Sequence, residues 1–345
     1  MITPILDIFA PILCAVVVIY LAEVLNDLLR GAGMSSLMVA TNAVIPFMIY
    51  ILLGAVSVRL GLVKEPFLKE LNSVVFKVFF PFIMFNNLYD VDFGALKGAG
   101  YVVFAIVATL LNIVLSFLLV PIFEKDNRRK GVITQAIYRS NSVLYAIPLA
   151  ESVFGNEGAV MASIVVAFIV PIYNISAVAI LEYYRGGKIS FFDLGKNILK
   201  NPLIIGAIAG VMFNLLPLKM PQSLVLPIDE LCNMATPLSL FVLGGTLHLS
   251  DINKNKVALA VGTTLKLAIV PSILVFVMAN LGLRGSELFV VFCMFATPVA
   301  AASYPMAQSM DADADLAGEY VMITTVLSIV TIFCWILVLK GLSLI

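Results

Sequence analysis

Apolar runs of about 20 residues, parted by short polar intervals, recur along the whole chain, and a run of that length crosses ~30 Å of hydrocarbon as a helix. Ten of them fall at residues 42–60, 68–88, 99–123, 131–153, 158–182, 202–217, 226–248, 256–281, 286–309 and 317–340, segments one to ten in chain order. An extra leading segment covers 5–29, with its uninterrupted part at 8–22 before Glu23, Asp27 and Arg30. It is expected to span, because Cys14 to Tyr20 offers no polar face to a headgroup layer. No Lys or Arg precedes its apolar run and Asp7 does, so it is expected to stay in the mature chain rather than leave as a signal peptide. The longest polar interval, 185–201, is too short to bury a core of its own.

One stretch breaks the pattern. Arg139-Ser140-Asn141 to Pro148 puts a charge, an amide and a proline inside segment four, and each is costly in hydrocarbon unless it lines a cavity. Pro148 has no N–H to give the carbonyl of Leu144, so a broken helix is expected there. Segment nine carries a matching pair: Pro298 and Pro305 withhold donors from Met294 and Ala301. The match is part of a longer one. Pro81 and Phe85 of segment two stand 156 residues before Pro237 and Phe241 of segment seven, and Pro148 stands 157 before Pro305, which sets Asn141 opposite Pro298. Val160-Met161 and Val321-Met322 open segments five and ten at a shift of 161. Two copies of five spans must enter the membrane in opposite senses, and inverted repeats with broken helices are a recurring transporter plan. The expected fold is therefore an all-α polytopic membrane protein, a 10-helix inverted repeat (5+5) with broken helices four and nine plus the extra N-terminal helix. Its units are 1–36 (extra helix), 42–184 (first repeat), 185–200 (cytoplasmic connecting loop) and 201–341 (second, inverted repeat).

Charge adds orientation and a candidate chemistry. With 61% hydrophobic and only 12% charged residues, no soluble domain is expected. Thirteen basic residues fall in one alternate set of loops (those around Arg59, Lys130, Arg185 and Lys254) and five in the other, so the first set is expected to be cytoplasmic. The C-terminus is then outside, and the N-terminus inside if the first segment spans. Three basic residues lie deeper. Lys77, Arg139 and Lys266 stand eight to ten residues beyond the nearest loop lysine, roughly 12–15 Å into the membrane. The acids Glu151, Glu182 and Glu319 sit near segment ends instead. Positive charge at depth suits an anionic substrate, so Lys77 and Lys266 are candidate counter-charges, with snorkelling to the interface as the alternative. Ser140, Tyr145, Thr297, Ser303 and Tyr304 are candidate liners around Arg139 and Asn141.

Other motifs carry less. Cys14, Cys232, Cys293 and Cys334 are scattered singly and read as buried hydrophobes. The run Asp311 to Asp315 lacks the glycine and the bidentate glutamate of a calcium loop, and reads as a helix cap before segment ten. His248 is a lone histidine and Trp335 a packing or interfacial residue. No metal site or cofactor is expected.

Several of these stretches resemble the auxin efflux carrier family of bacterial and plant permeases. Leu71-Asn72 with Phe80-Pro81-Phe82-Ile83-Met84-Phe85 is similar to that family's second helix. Arg139-Ser140-Asn141 with Ile147-Pro148-Leu149 and Phe154-Gly155 is similar to its fourth, and Leu181-Glu182-Tyr183-Tyr184-Arg185 to the end of its fifth. Asn201-Pro202, Thr236-Pro237 through Gly244, Thr297-Pro298 with Ala307, and Leu316-Ala317 follow in the family's order, so the resemblance covers about residues 42–341. It implies a ten-helix inverted-repeat carrier, often dimeric, whose fourth and ninth helices cross where they unwind. The implied cargo is a small organic anion, a dicarboxylate such as malonate or malate in bacteria or auxin in plants. Two departures stand out: the segment before residue 42 has no counterpart, and Met84, Phe168 and Ile169 occupy positions where plant members are polar. Those departures favour a dicarboxylate over an indole acid.

The function expected from the sequence is a secondary or potential-driven carrier of small organic anions in the plasma membrane. Its site would be built on Asn141, Arg139, Ser140, Tyr145, Thr297 and Pro298, at helix breaks made by Pro148, Pro298 and Pro305. Expected partners are the anion, the lipid bilayer and a second copy of the chain, with no nucleic acid. Coupling to protons or sodium is left open. The alternative is a sensor or assembly subunit that keeps a carrier fold. An intramembrane enzyme would need a HExxH, a GxSxG or a carboxylate pair at depth, and the sequence has none.

Overall fold

The computed structural model describes residues 34–89, 91, 100–185, 191–216, 220–246 and 252–345. The leading segment 5–29 lies outside the described residues, as do Lys97, Lys188, Lys219 and His248. Helices α1 (Met34–Arg59), α2 (Glu65–Tyr89), α3 (Gly100–Phe123), α4 (Asn127–Tyr138), α5 (Ser142–Arg185) and α6 (Phe191–Lys200) come first. Helices α7 (Pro202–Leu215), α8 (Gln222–Thr246), α9 (Lys254–Asn280), α10 (Gly285–Ala296), α11 (Ser303–Ser309) and α12 (Ala314–Gly341) follow. Among the described residues, α2, α3, α5, α8, α9 and α12 are each long and apolar enough to cross a membrane.

Their sidedness is that of a bilayer solvent. On α3, Val107, Leu111, Leu115, Leu118 and Ile122 repeat every three or four residues and lie on the outside, Ile122 72% exposed. On the opposite stripe Thr109, Asn112 and Ser116 are buried, and the Ser116 hydroxyl donates to Asn112 Oδ1 at 3.4 Å. A helix that turns its polar groups inward and its leucines outward is stable where the surroundings are hydrocarbon.

Close helix contacts are built on glycine. A Cβ on Gly54 of α1 would stand 1.9 Å from the carbonyl oxygen of Phe241 on α8, and one on Gly244 of α8 would stand 1.8 Å from that of Ile51. Helices α2 and α7 meet in the same way, Gly206 on Pro81 and Gly210 on Phe85, at 2.3 and 2.6 Å from the carbonyl oxygens. Near contact of backbones replaces side-chain interdigitation here, as it does between membrane helices generally.

The structure revises three details. Segment four breaks at Arg139–Asn141, ahead of Pro148, which lies within helical α5. Segment nine breaks at 297–302, and Pro305 sits in the first turn of α11, where a missing N–H costs little. Its expected orphan, the Ala301 carbonyl, accepts the N–H of Tyr304 at 3.3 Å. The connecting stretch 185–200 is no plain loop, because Phe191–Lys200 is helical: Phe191, Leu194 and Ile198 recur at helical spacing. Segments four and five do separate where expected, at Gly155, whose φ of 64° and ψ of −153° interrupt α5. A Cβ on Gly158 would stand 2.3 Å from the Ala150 carbonyl oxygen, so the chain doubles back; in an unbroken helix residues eight apart are ~12 Å distant.

Candidate functional site

The two breaks meet. Arg139 and Thr297 both leave the helical conformation for the extended one, with ψ of 119° and 159°. Ser140 and Val299 then pair as an isolated antiparallel bridge. The Asn141 N–H donates to the Pro298 carbonyl at 2.8 Å, and the Val299 N–H to Thr324 Oγ1 of α12 at 3.0 Å. Pro298 cannot satisfy the carbonyl of Met294, and the Tyr173 hydroxyl of α5 does so instead, at 2.8 Å. Three backbone groups exposed by unwinding, the N–H groups of Asn141 and Val299 and the carbonyl of Met294, thus find partners from other elements, as a low-dielectric interior favours.

Beside this crossing lies a cavity of about 630 Å³, within the size range of small-molecule sites, ~300–1,000 Å³. Arg139, Ser140 and Asn141 line it, with Val143 and Leu144 of the first turn of α5. Asn86 and Asn87 of α2 and Asn233 and Thr236 of α8 form the facing wall, and Tyr173 and Asn174 of α5 and Ala300–Ala302 complete its depth. The lining runs along α2 from Phe80 to Asn87, toward its end, and along α8 from Leu240 back to Cys232, toward its start. The opposite end is closed by hydrogen bonds: Asn72 Nδ2 donates to the Pro305 carbonyl at 3.3 Å, Thr246 and Tyr304 share one at 2.5 Å, and Asn201 reaches Met310 Sδ at 3.8 Å.

Electrostatically the site is positive. Arg139 is buried, and its guanidinium donates to the amide oxygens of Gln135, at 3.1 Å, and Asn174, and to Ser303 Oγ at 3.5 Å. All of these acceptors are neutral. Lys266 is fully buried and donates to Ser140 Oγ. Ion pairs such as Lys69–Glu65, Arg129–Glu124 and Arg185 with Glu182 and Asp311 lie elsewhere, and among the described residues neither Arg139 nor Lys266 meets a carboxylate. The Asn141 side-chain nitrogen is buried without a hydrogen-bond partner. The N-terminus of α5, at Ser142, adds the positive end of a helix dipole. These groups together can receive a carboxylate.

The expected residues divide accordingly. Arg139, Ser140, Asn141, Pro298 and Lys266 converge at the crossing, though neither Pro298, which contributes its carbonyl, nor Lys266, which stands behind Ser140, lines the cavity itself. Thr297 is buried next to it, and Tyr145 lies one turn into α5 packed on Phe47, ring centroids 5.8 Å apart. Both stand outside the lining. Lys77 is exposed on the outside of α2, away from the cavity. Asn174, Asn86, Asn87 and Asn233 were missed. The signal was present, since each is an amide within an apolar segment. The Asp311–Asp315 run does cap a helix, since Asp313 Oδ1 accepts the Leu316 N–H at 3.0 Å.

The family model described as "Membrane transport protein" matches residues 39–336. An "Uncharacterized transporter" of Methanothermobacter thermautotrophicus is 26% identical over 307 residues, covering 87% of this chain and 98% of that protein. A "Putative malonate transporter" of Rhizobium meliloti is 22% identical over 299 residues, covering 85% of this chain and 93% of that protein. With a match that spans most of its length, the chain belongs to the membrane transport protein family, that of the auxin efflux carriers its motifs resemble.

Proposed function

We propose that this membrane transporter carries a small dicarboxylate, malonate or a close analogue, by alternating access at the crossing of segments four and nine. The observation that carries the reading is Asn141: its backbone ties the two breaks together, and its unpartnered, buried amide lines the cavity beside Arg139. Substrate carboxylate would supply the charge that Arg139 lacks among its neutral acceptors. The Rhizobium relative's description adds a substrate of that class.

An inverted repeat of residues 42–184 and 201–341 underlies the movement. It is supported by contacts that repeat with the sequence shift: Gly54 lies on the Phe241 carbonyl and Gly210 on the Phe85 carbonyl, and each glycine and each phenylalanine stands 156 residues from its counterpart. With the basic loops cytoplasmic, the cavity faces outward and the bonds from Asn72 and Thr246 close the inner end of a plasma-membrane carrier. An anion of one net charge leaving a cell gains about 2.3 kcal/mol per 100 mV, so efflux needs no coupling ion, whereas uptake would.

The test is uptake and efflux of radiolabelled malonate, malate and a monocarboxylate in proteoliposomes at imposed potentials, for the native protein and Asn141→Ala. Flux of a dicarboxylate that follows the potential and collapses in the variant is expected. Flux unchanged by Asn141→Ala would leave the carrier standing and remove this site. No flux of any acid would favour the alternative of a carrier fold kept for sensing or assembly.

A further inference from the structure

We infer that Lys266 is the second fixed charge of the binding site and sets the valence of the anion, so that a dianion is taken in preference to a monoanion of the same shape. This rests on the dicarboxylate reading above. Lys266 occupies a π-helical turn, Leu265–Ile269, in the middle of α9. Such a turn inserts an extra residue into a helix and is common at functional sites. The turn is secured from outside by the Trp335 indole, whose Nε1 donates to the Leu267 carbonyl at 3.0 Å. From it the fully buried ammonium reaches Ser140 Oγ. Ser140 lines the cavity and bridges Val299, so one hydroxyl stands between the ammonium and the bound anion.

The elements packed on this turn are α4, α10 and α12. Their Asp, Glu, Lys and Arg residues lie toward the helix ends: Arg128, Arg129 and Lys130 on α4, Glu287 on α10, and Asp315, Glu319 and Lys340 on α12. Glu319 accepts from Asn255, eleven residues before Lys266, about 16 Å along α9. Glu287 is ten residues before Thr297, ~15 Å from the crossing. No described acid therefore answers either Lys266 or Arg139, which follow one another around Ser140. A monoanion neutralises one of these charges. A dianion neutralises both, and in a low-dielectric site the second charge strongly favours it. Lys77 makes the comparison sharper: it also sits in a π-helical turn, Val75–Phe79, at similar sequence depth, yet its side chain is exposed.

Malonate and monomethyl malonate differ by one charge above neutral pH and little in shape, and their transport by proteoliposomes tests the inference. For the native protein the KM for malonate should lie about tenfold or more below that for the half-ester. Lys266→Met should erase most of that ratio by raising the malonate KM, leaving the half-ester KM within about twofold, while Lys266→Arg keeps the ratio. An equal rise in both KM values, or a fall in kcat with the ratio intact, would mean that Lys266 only props the crossing. A native protein that takes the half-ester as readily as malonate overturns the inference by itself, even where the methionine variant does not fold. Absence of flux for both compounds in the native protein would sink the dicarboxylate reading and this inference with it. Malonate flux whose ratio survives Lys266→Met sinks the inference alone.

Discussion

Arg139 is held by neutral acceptors, the oxygens of Gln135, Asn174 and Ser303 and the Met306 sulfur, and that choice of partners defines its role. A carboxylate partner would have cancelled its charge; the amides of Gln135 and Asn174 orient the guanidinium and leave the charge for a ligand. Arg139→Lys keeps the charge and loses the fork, so transport should fall about tenfold or more while the protein still folds, read as kcat/KM alongside a thermal melt in detergent. Asn174→Ala removes an acceptor to a charged donor, an interaction worth about 1.5–3 kcal/mol. The KM for the anion should rise about tenfold, and an unchanged KM would reduce Asn174 to packing. In the sequence Arg139 and Asn141 stood out because charge and amide adjoin in an apolar run. Asn174 did not, because a single amide in a long apolar helix reads equally well as a packing group.

At the scale of the element, breaks were expected at Pro148, Pro298 and Pro305, and only Pro298 lies within one. A proline removes one N–H, and near a helix start that loss is small, as at Pro305 in the first turn of α11. What ends α4 is a competing tertiary bond, the Asn141 N–H to the Pro298 carbonyl, together with the bridge from Ser140 to Val299. The glycine contacts belong to the same scale. Gly54→Ala or Gly244→Ala would drive a methyl to within 1.9 or 1.8 Å of a carbonyl oxygen, prying α1 from α8 at a cost of about 3 kcal/mol or more. Either variant should lower the melting temperature sharply. Ala at Gly195, which has open space around it, should leave it unchanged.

At the scale of the molecule, the site is lined by amides and extends along α8 to Cys232, and on its other side hydrogen bonds from Asn72, Thr246 and Asn201 join the helices. Cys232 is therefore a native reporter. In the orientation proposed above, a membrane-impermeant thiol reagent added from the outside should label it, and malonate should slow the reaction. Thr246→Val removes a closing bond of the inner end, so the open-inward state should gain population and outside labelling should slow several-fold; labelling that ignores the variant would remove these contacts from the closure. The sequence by itself determined the solvent, the helical class and the neighbourhood of both breaks, because hydrophobic length and buried polar groups are constrained one helix at a time by the bilayer. Lys77 and Lys266 mark what it left undetermined. Each stands eight to ten residues past a loop lysine in an apolar helix, and nothing local distinguishes them. Only packing fixes the rotation of each helix about its axis, and that rotation turned Lys266 onto Ser140 at the crossing and Lys77 to the outside.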